Sequence, residues 1–412
     1  MPLAQRGRAY AIAAGTLGWT LDAFDFFAVV FLLDTLARHF GVAKASIVFT
    51  LTLTLALRPL GAVLFGTLAD RYGRRKPLMA VVAYFSLIEV LSGLAPNFPI
   101  FLALRALFGI GMGGYWGVGA SLAMESTSIK RRGLVSGLLQ GGYPVGYLLS
   151  AIATRTILPA WGWRSMFWAG LLPAAITLYV TFKAPEPEAW KQHQVPSVSG
   201  ILRIAAENWR RFVYLLFLVG LMMFLSHGTQ DLYPDFLKTV RHFSSNAAAE
   251  VAMIYNVGAV LGTVLIGYSS EWLGRRKSMM AALVLCSLVI PAWAFGTSLV
   301  ALTVAAFLLQ LGVQGTWGVI PAHLNELSPD AARSLFPGLV YQLGSLVGSP
   351  ANTIEYALRN RLGYEWALLA FEGFTIIALF FVFAFGPEQK GKSFLKEPLA
   401  VGVETAASGG FS

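Results

Sequence analysis

Charge is scarce in this sequence: Lys, Arg, Asp and Glu make up 13% of its 412 residues, about half the share usual in soluble proteins. With 56% hydrophobic residues and a mean hydropathy of +0.63, that scarcity excludes a soluble enzyme and a disordered chain. The single cysteine, Cys286, excludes an internal disulfide framework. No Gly-x-x-x-x-Gly-Lys-Ser/Thr run is present to cradle a nucleotide phosphate, which argues against ATP-driven work. The five histidines are scattered and form no metal-ligand spacing. No cofactor and no metal are therefore expected, and no nucleophile–base–orienter set marks an enzyme.

What the sequence does have is a succession of apolar runs of about 20 residues, the length that crosses a bilayer. They predict an all-α membrane protein with twelve spans: 11–36, 46–69, 77–95, 98–124, 133–156 and 165–183, then 211–237, 247–270, 279–297, 299–325, 334–357 and 364–386. Two six-helix bundles (1–183 and 211–386) flank a Pro- and charge-rich connection (184–210), and a polar, mobile tail follows (387–412). An even number of spans puts both termini on one side, where 21 Lys and Arg collect against 8 on the other. The positive-inside rule makes that side cytoplasmic and the protein a multi-pass component of the plasma (cytoplasmic) membrane. The net charge of +10 is then topological, and no nucleic-acid partner is expected. The bilayer itself is the expected partner, and the chain is expected to act as a monomer.

The two halves repeat. A shift of 201 carries Gly66, Asp70, Gly73, Arg74, Arg75 and Lys76 onto Gly267, Glu271, Gly274, Arg275, Arg276 and Lys277. The same shift carries Gly114, Trp116, Gly117, Glu125, Arg132 and Gly137 onto Gly315, Trp317, Gly318, Glu326, Arg333 and Gly338. A duplication of six-helix units is the architecture of transporters whose site lies between two halves. The run Gly66-x-x-x-Asp70-Arg71-x-Gly73-Arg74-Arg75 and its second copy resemble the loop signature of the major facilitator superfamily. The resemblance spans essentially the whole chain and implies gating by Asp70, Arg74 and Arg75 and by Glu271, Arg275 and Arg276. An acid at a helix end beside arginines of the next loop can hold neighbouring helix ends together, and breaking such pairs would accompany opening.

Ionisable groups inside membrane helices are expensive, so each is a candidate for function. Asp22 and Asp25 lie three apart on the first span, hence on one face; two carboxylates in low dielectric resist joint ionisation, which suits a proton carrier. His227 and Asp231 share a face of the seventh span, with Gln230 beside them. Arg58 lies about 18 Å along the second span from the Asp70 end, where a guanidinium could hold a carboxylate through two parallel bonds. Arg105, in Arg105-x-x-x-Gly109-x-Gly111, resembles the fourth-span arginine motif of facilitators, which is linked to proton transfer. For either arginine the alternative is a structural pair with a carboxylate such as Asp25 or Asp34. Gln140, Tyr143, Gln314 and Tyr341 are neutral groups able to orient an anion, or to glue helices together. Glu89 and Glu372 fall on spans that such folds place peripherally and are assigned no role.

Ser226-His227-Gly228-Thr229-Gln230-Asp231 is similar to the seventh-helix signature of the fungal lactate permeases in the sialate:proton symporter family, N-x-x-S/T-H-x-S/T-Q-D-x-x-x-T. Met223 and Asp235 stand where Asn and Thr belong, and Tyr115 stands where relatives often carry Glu. The resemblance implies that His227 and Asp231 serve substrate and proton movement. The expectation is a proton-coupled transporter of a small organic anion, lactate or pyruvate foremost, working by alternating access. Arg58, His227, Gln230, Gln140, Tyr143, Gln314 and Tyr341 would bind substrate, and Asp22, Asp25, Asp231 and Arg105 would couple protons. Sialic or aromatic acids are the alternative substrates; an uncoupled facilitator or pore, and a receptor, are the alternative classes.

Overall fold

The computed structural model describes residues 3–192 and 197–395. Among them the chain is helical, with no β-strand, and ten helices are long and apolar enough to cross a bilayer. Spans 1 to 4 are Leu3–Phe31 (extended by Leu33–Phe40), Lys44–Tyr72, Arg75–Gly93 and Phe98–Glu125; span 5 is Arg132–Trp161 and span 6 is Trp163–Ala169 with Leu171–Lys183. Spans 7 to 10 are Trp209–Gln230 (extended by Tyr233–Thr239), Ser245–Leu273, Arg275–Phe295 and Leu299–Leu327; span 11 is Leu335–Gly348 with Ala351–Leu362, and span 12 is Tyr364–Phe385.

Spans 5 and 11 bring the ten apolar helices to twelve, and each departs from a continuous apolar helix for a physical reason. Span 5 places Gly137, Gly141, Gly142 and Gly146 in close contact with its neighbours. Span 11 is interrupted at Ser349–Pro350, where proline supplies no N–H to continue the ladder. Helix starts repeat as the sequence does: Asn97 caps span 4 by accepting the N–H of Ile100 at 3.0 Å, and Ser298, at the equivalent position, caps span 10 through Ala301 at 3.2 Å. Gly73 and Gly274 take φ of +98° and +94° at the two basic turns, a conformation that favours glycine.

Within the first half, span 4 packs on spans 1, 2 and 3, and span 1 also lies on spans 5 and 6. The second half reproduces this, with span 10 on spans 8 and 9, and span 7 on spans 11 and 12. Large apolar side chains such as Leu60, Leu288, Phe374 and Phe385 remain exposed, as a lipid-facing perimeter requires. The halves meet through spans 5 and 8, 2 and 11, 5 and 10, and 4 and 11. Small residues set this approach. A Cβ on Gly66 would stand 2.7 Å from Leu335 Cα, one on Gly117 2.8 Å from Gly338 Cα, and one on Gly267 2.8 Å from the Gly133 carbonyl oxygen. These contacts lie toward the basic face. Toward the opposite face, the His227 and Asp231 side chains are 40% and 38% exposed. The molecule is closed at its basic end and open at the other.

The segment expected to trail as a mobile tail instead returns to the basic face over 387–395. Phe394 is buried beneath two guanidinium groups, Arg132 at 3.7 Å and Arg333 at 4.2 Å from its ring centre. Composition alone misses this, because a few specific contacts, the Phe394 ring and Lys392 on Asp330 among them, fix an otherwise polar segment. Residues 396–412 lie outside the described residues.

Gly66→Val places a branched side chain against the Leu335 backbone and is expected to cost the closed arrangement about 1–3 kcal/mol. Spin labels at the basic ends of spans 2 and 11 should read a longer separation; an unchanged separation would refute the close-approach account.

Candidate functional site

Two linked clusters of buried charge close the basic face. Arg74 bonds Asp70 at 2.6 Å and grips Glu125 through Nη2 at 2.8 Å and Nε at 3.1 Å. Arg333, from the other half, reaches the same Glu125 at 3.4 Å. In the repeat-related cluster Arg275 grips Glu326 through two nitrogens at 2.9 Å each and lies 3.8 Å from Glu271. Arg132 crosses from the first half to Glu326 at 3.0 Å. Carboxylates also seal helix ends across the divide. Asp70 accepts the N–H groups of Ser334 and Leu335, both at 2.9 Å, at the start of span 11. Glu271 accepts those of Gly133 and Leu134 at the start of span 5. Unpaired N–H groups and the helix dipole favour an anion at these points.

Of the six residues expected to gate, Asp70, Arg74, Glu271 and Arg275 therefore sit in the closure, and Arg75 and Arg276 do not. The Arg75 guanidinium lies 5.1 Å over Phe182, and Arg276 donates to the carbonyls of Phe383 and Ala384 at the end of span 12. The missing partners were Glu125, Glu326, Arg132 and Arg333, and the repeat offset already linked them. A second overlooked signal is the Pro-Glu pair at 185–186 and 387–388. Glu186 accepts the backbone N–H of Arg74 and Arg75, and Glu388 that of Arg276, so each caps the span after its basic turn.

At membrane depth Arg58 is buried, and its Nε and Nη2 have no protein partner. Its charge acts on Asp22, Tyr143 and Tyr341. The Asp231 charge also acts on Tyr143, so this ring lies between the arginine of span 2 and the acid of span 7. Tyr341 gathers three indoles: Trp116 stacks at 4.1 Å, and Trp317 and Trp19 meet it at 5.6 and 5.9 Å. Trp116 and Trp317 are repeat equivalents converging on one ring. Gln140 lies beside Tyr341, and its Oε1 has no donor.

Asp22 and Asp25 are both buried, and neither Asp22 oxygen has a partner. Each feels a different cation, Arg58 on Asp22 and Arg105 on Asp25, while Glu89 acts on both and Asp22 on Asp25, whose Oδ1 faces Gly170. Arg105 is bonded to neither. It pairs with Glu89 at 2.7 Å and bonds Ser92, so Glu89, assigned no role from its span, is the arginine's resting partner. On span 7, His227 Nδ1 lies 3.0 Å from Asp231, which also accepts from Asn352 at 2.7 Å. Gln230 and Gln314 are drawn into bonds between spans 7 and 10, to Gln310 at 2.7 Å and Ser226 at 3.1 Å. Tyr115 donates to the carbonyls of Ala14 and Gly15 at 2.6 and 3.0 Å, so it ties span 4 to span 1. Among the described residues no group of His, Cys, Asp and Glu could hold a metal.

Residues 15–244, more than half the chain, match the Major Facilitator Superfamily, and residues 223–388 match the Sugar (and other) transporter family. The chain belongs to the major facilitator superfamily. A carboxylic acid transporter protein homolog of Saccharomyces cerevisiae is 31% identical over 85% of this chain, which spans 61% of that longer protein. The sialic acid transporter NanX of Escherichia coli is 25% identical over 90% of this chain and 93% of its own. The proton:xylose symporter XylE shares the fold, with a TM-score of 0.78 over 94% of this chain and 98% of its own at 19% identity. As a superfamily member the chain is a multi-pass membrane transporter, not an enzyme, and its two buried charge clusters are the closure between the halves of a facilitator fold.

Glu125→Gln leaves Arg74 and Arg333 without their shared carboxylate. Removing one partner of a buried pair costs about 3–5 kcal/mol, and a lower Tm with labelling of the basic face should report it. The closure also has a pH-sensitive rim outside the spans. Burial pushes the Asp330 carboxyl up, but Arg333, and Lys392 at 3.0 Å, outweigh this and hold it below the usual range. An acid held down stabilises the fold above its ordinary pKa of about 3.9, and that contribution is lost as pH falls through the lower, folded value. Limited proteolysis at the tail should therefore accelerate in acid, and Asp330→Asn should show that acceleration already at neutral pH.

Proposed function

We propose that this protein is a proton-coupled transporter of a small organic monocarboxylate, lactate or pyruvate, working by alternating access. The observation that carries this reading is Arg58, a buried guanidinium whose Nε and Nη2 have no protein partner, between rings contributed by both halves. A carboxylate offers two oxygens in the geometry that a guanidinium edge matches. The printed functions of the yeast and Escherichia coli relatives, carboxylic acid and sialic acid transport, support an acid as cargo.

The excess of basic residues supports taking the closed, basic face as cytoplasmic, so the structure is outward-facing. His227 and Asp231 then meet substrate and protons arriving in the open wedge. Asp22, beside Arg58, is the acid whose charge would compete with a bound carboxylate; with Asp22 protonated, the arginine is left to the anion. Arg105 is paired with Glu89 but its charge reaches Asp25, so loss of the Asp25 proton would set a second carboxylate competing for the arginine. Proton and anion crossing together carry no net charge and avoid the cost of about 2.3 kcal/mol per charge per 100 mV. A monomer suffices for this cycle, since both halves of the site lie in one chain.

The indoles around Tyr341 favour a second reading, a planar aromatic acid. In proteoliposomes with an inward proton gradient, radiolabelled lactate should accumulate and Arg58→Gln should cut uptake by about tenfold or more, as loss of a charge-assisted bond predicts. Asp25→Asn should abolish the gradient dependence. Lactate uptake blocked by benzoate but indifferent to pyruvate would favour the aromatic acid, and uptake indifferent to the gradient would leave a facilitator.

A further inference from the structure

Two carboxyl groups in the second half have no role in the reading above and no bonding partner. Glu355 on span 11 and Glu372 on span 12 are each 0% exposed, and none of their four carboxyl oxygens meets a donor. The contrast with the first half is direct: Glu89 is equally enclosed but has Arg105 at 2.7 Å. The arginines of the region are engaged elsewhere. Arg359 holds Asp235 at 3.1 Å, and Arg241 holds Glu365 at 3.0 Å.

These carboxyls lie behind the His227–Asp231 pair. The Asp231 charge acts on Glu355, and the Glu355 charge acts on Glu372. Glu372 lies directly against the span 7 backbone, because a Cβ on Gly228, the neighbour of His227, would overlap its Oε1. The other titratable or charged groups facing them are Asp235 on span 7, Arg359 on span 11, Tyr364 on span 12 and Cys286 on span 9, which feels the Glu372 charge. The His227–Asp231 end is open to water, with its side chains 40% and 38% exposed, and so is the Arg359–Asp235 pair, at 30% and 42%. An ionised carboxylate sealed in a membrane protein without a cation or donor is strongly disfavoured, whereas a carboxyl holding a proton is tolerated there.

The geometry points to a second proton-holding site, made of Glu355 and Glu372 behind the His227–Asp231 pair and separate from Asp22 and Asp25. It deepens the proton coupling proposed above and rests on that reading. A proton from water in the open wedge passes by Asp231 and His227 and is held as a carboxyl O–H. It returns to water on the other side when the halves rock and the basic face opens. One proton enters and one leaves, and no other co-reactant is needed.

The test pairs two measurements on the full-length protein in liposomes. Infrared difference spectra between acid and alkaline pH should show protonated-carboxyl bands that are missing in Glu355→Gln and Glu372→Gln but persist in Asp25→Asn. With a pH dye inside the vesicles and radiolabelled lactate outside, the number of protons entering per lactate should fall in both glutamine variants, and Glu372→Asp should restore part of it. The infrared arm needs no substrate, so it decides this site even if lactate proves not to be the cargo. Bands unchanged by either glutamine, or a proton-to-lactate ratio equal to the wild type, would overturn the assignment. So would glutamine variants that lower lactate binding and proton entry in equal measure, since that would mark a packing role.

Discussion

The interaction on which the rest of this structure depends is the pair of carboxylates, Glu125 and Glu326, each shared between arginines of opposite halves. Arg74 and Arg333 converge on the first, and Arg275 and Arg132 on the second. A buried ion pair is weak evidence for net stability, because desolvation offsets much of the attraction. What it supplies here is a difference between two states. Pulling the halves apart at this face parts Arg333 from Glu125 and Arg132 from Glu326 while Arg74 and Arg275 keep their carboxylates, so the closed state is a distinct minimum. Asp70 and Glu271 reinforce it by seating anions on helix starts of the facing half. The glycines at 66, 117 and 267 let backbones approach closely enough for these bonds to form.

That closure explains why the polar residues at membrane depth can remain unsatisfied. Arg58 and Asp22 keep polar atoms without partners, a cost that a soluble core would remove by repacking. In a transporter the groups that meet the cargo must be incompletely bonded in the empty state, and the closure holds the frame in which they wait. The first half shows the other option in Arg105–Glu89, a pair bonded to each other at rest yet close enough to Asp25 for its charge to be felt.

The fold was legible in the sequence because the bilayer imposes a length and a hydropathy on every span, and because the chain states its design twice. The offset of 201 located the basic turns, the tryptophans that meet on Tyr341, and the acid–arginine clusters as a set. The partners within the set were less legible. Arg75 and Arg276 sit in the motif but point to Phe182 and to span 12 carbonyls, since a helix start turns adjacent side chains about 100° apart. Glu89 and Glu372 look alike in sequence, as single acids on peripheral spans. Only three dimensions show that one faces an arginine and the other faces the bare backbone at Gly228. The tail misled for a related reason: its composition is that of a solvated segment, and the Phe394 ring, Lys392 on Asp330 and Glu388 on the Arg276 N–H together dock 387–395.

The duplication also bears on direction. If the halves were chemically as well as geometrically equivalent, anion and proton sites would mirror each other, and nothing would bind one ion to the other's movement. They are not equivalent. The first half carries the unpartnered cation Arg58 beside Asp22, and the second carries the imidazole–carboxylate pair His227–Asp231 with Asn352. Tyr143, on which both Arg58 and Asp231 act, stands where the two fields meet. A carboxylate bound at Arg58 adds a negative charge near Asp22, and through Tyr143 near Asp231. Charge in a low-dielectric site is felt over several ångströms, so in the proposed function a bound anion would favour a proton on the acid beside Arg58, and by linkage that proton would favour the anion. The proton coupling proposed here would therefore require no mechanical relay between separate sites. It follows from placing one cation and several acids around a single opening that the basic-face closure keeps accessible from one side.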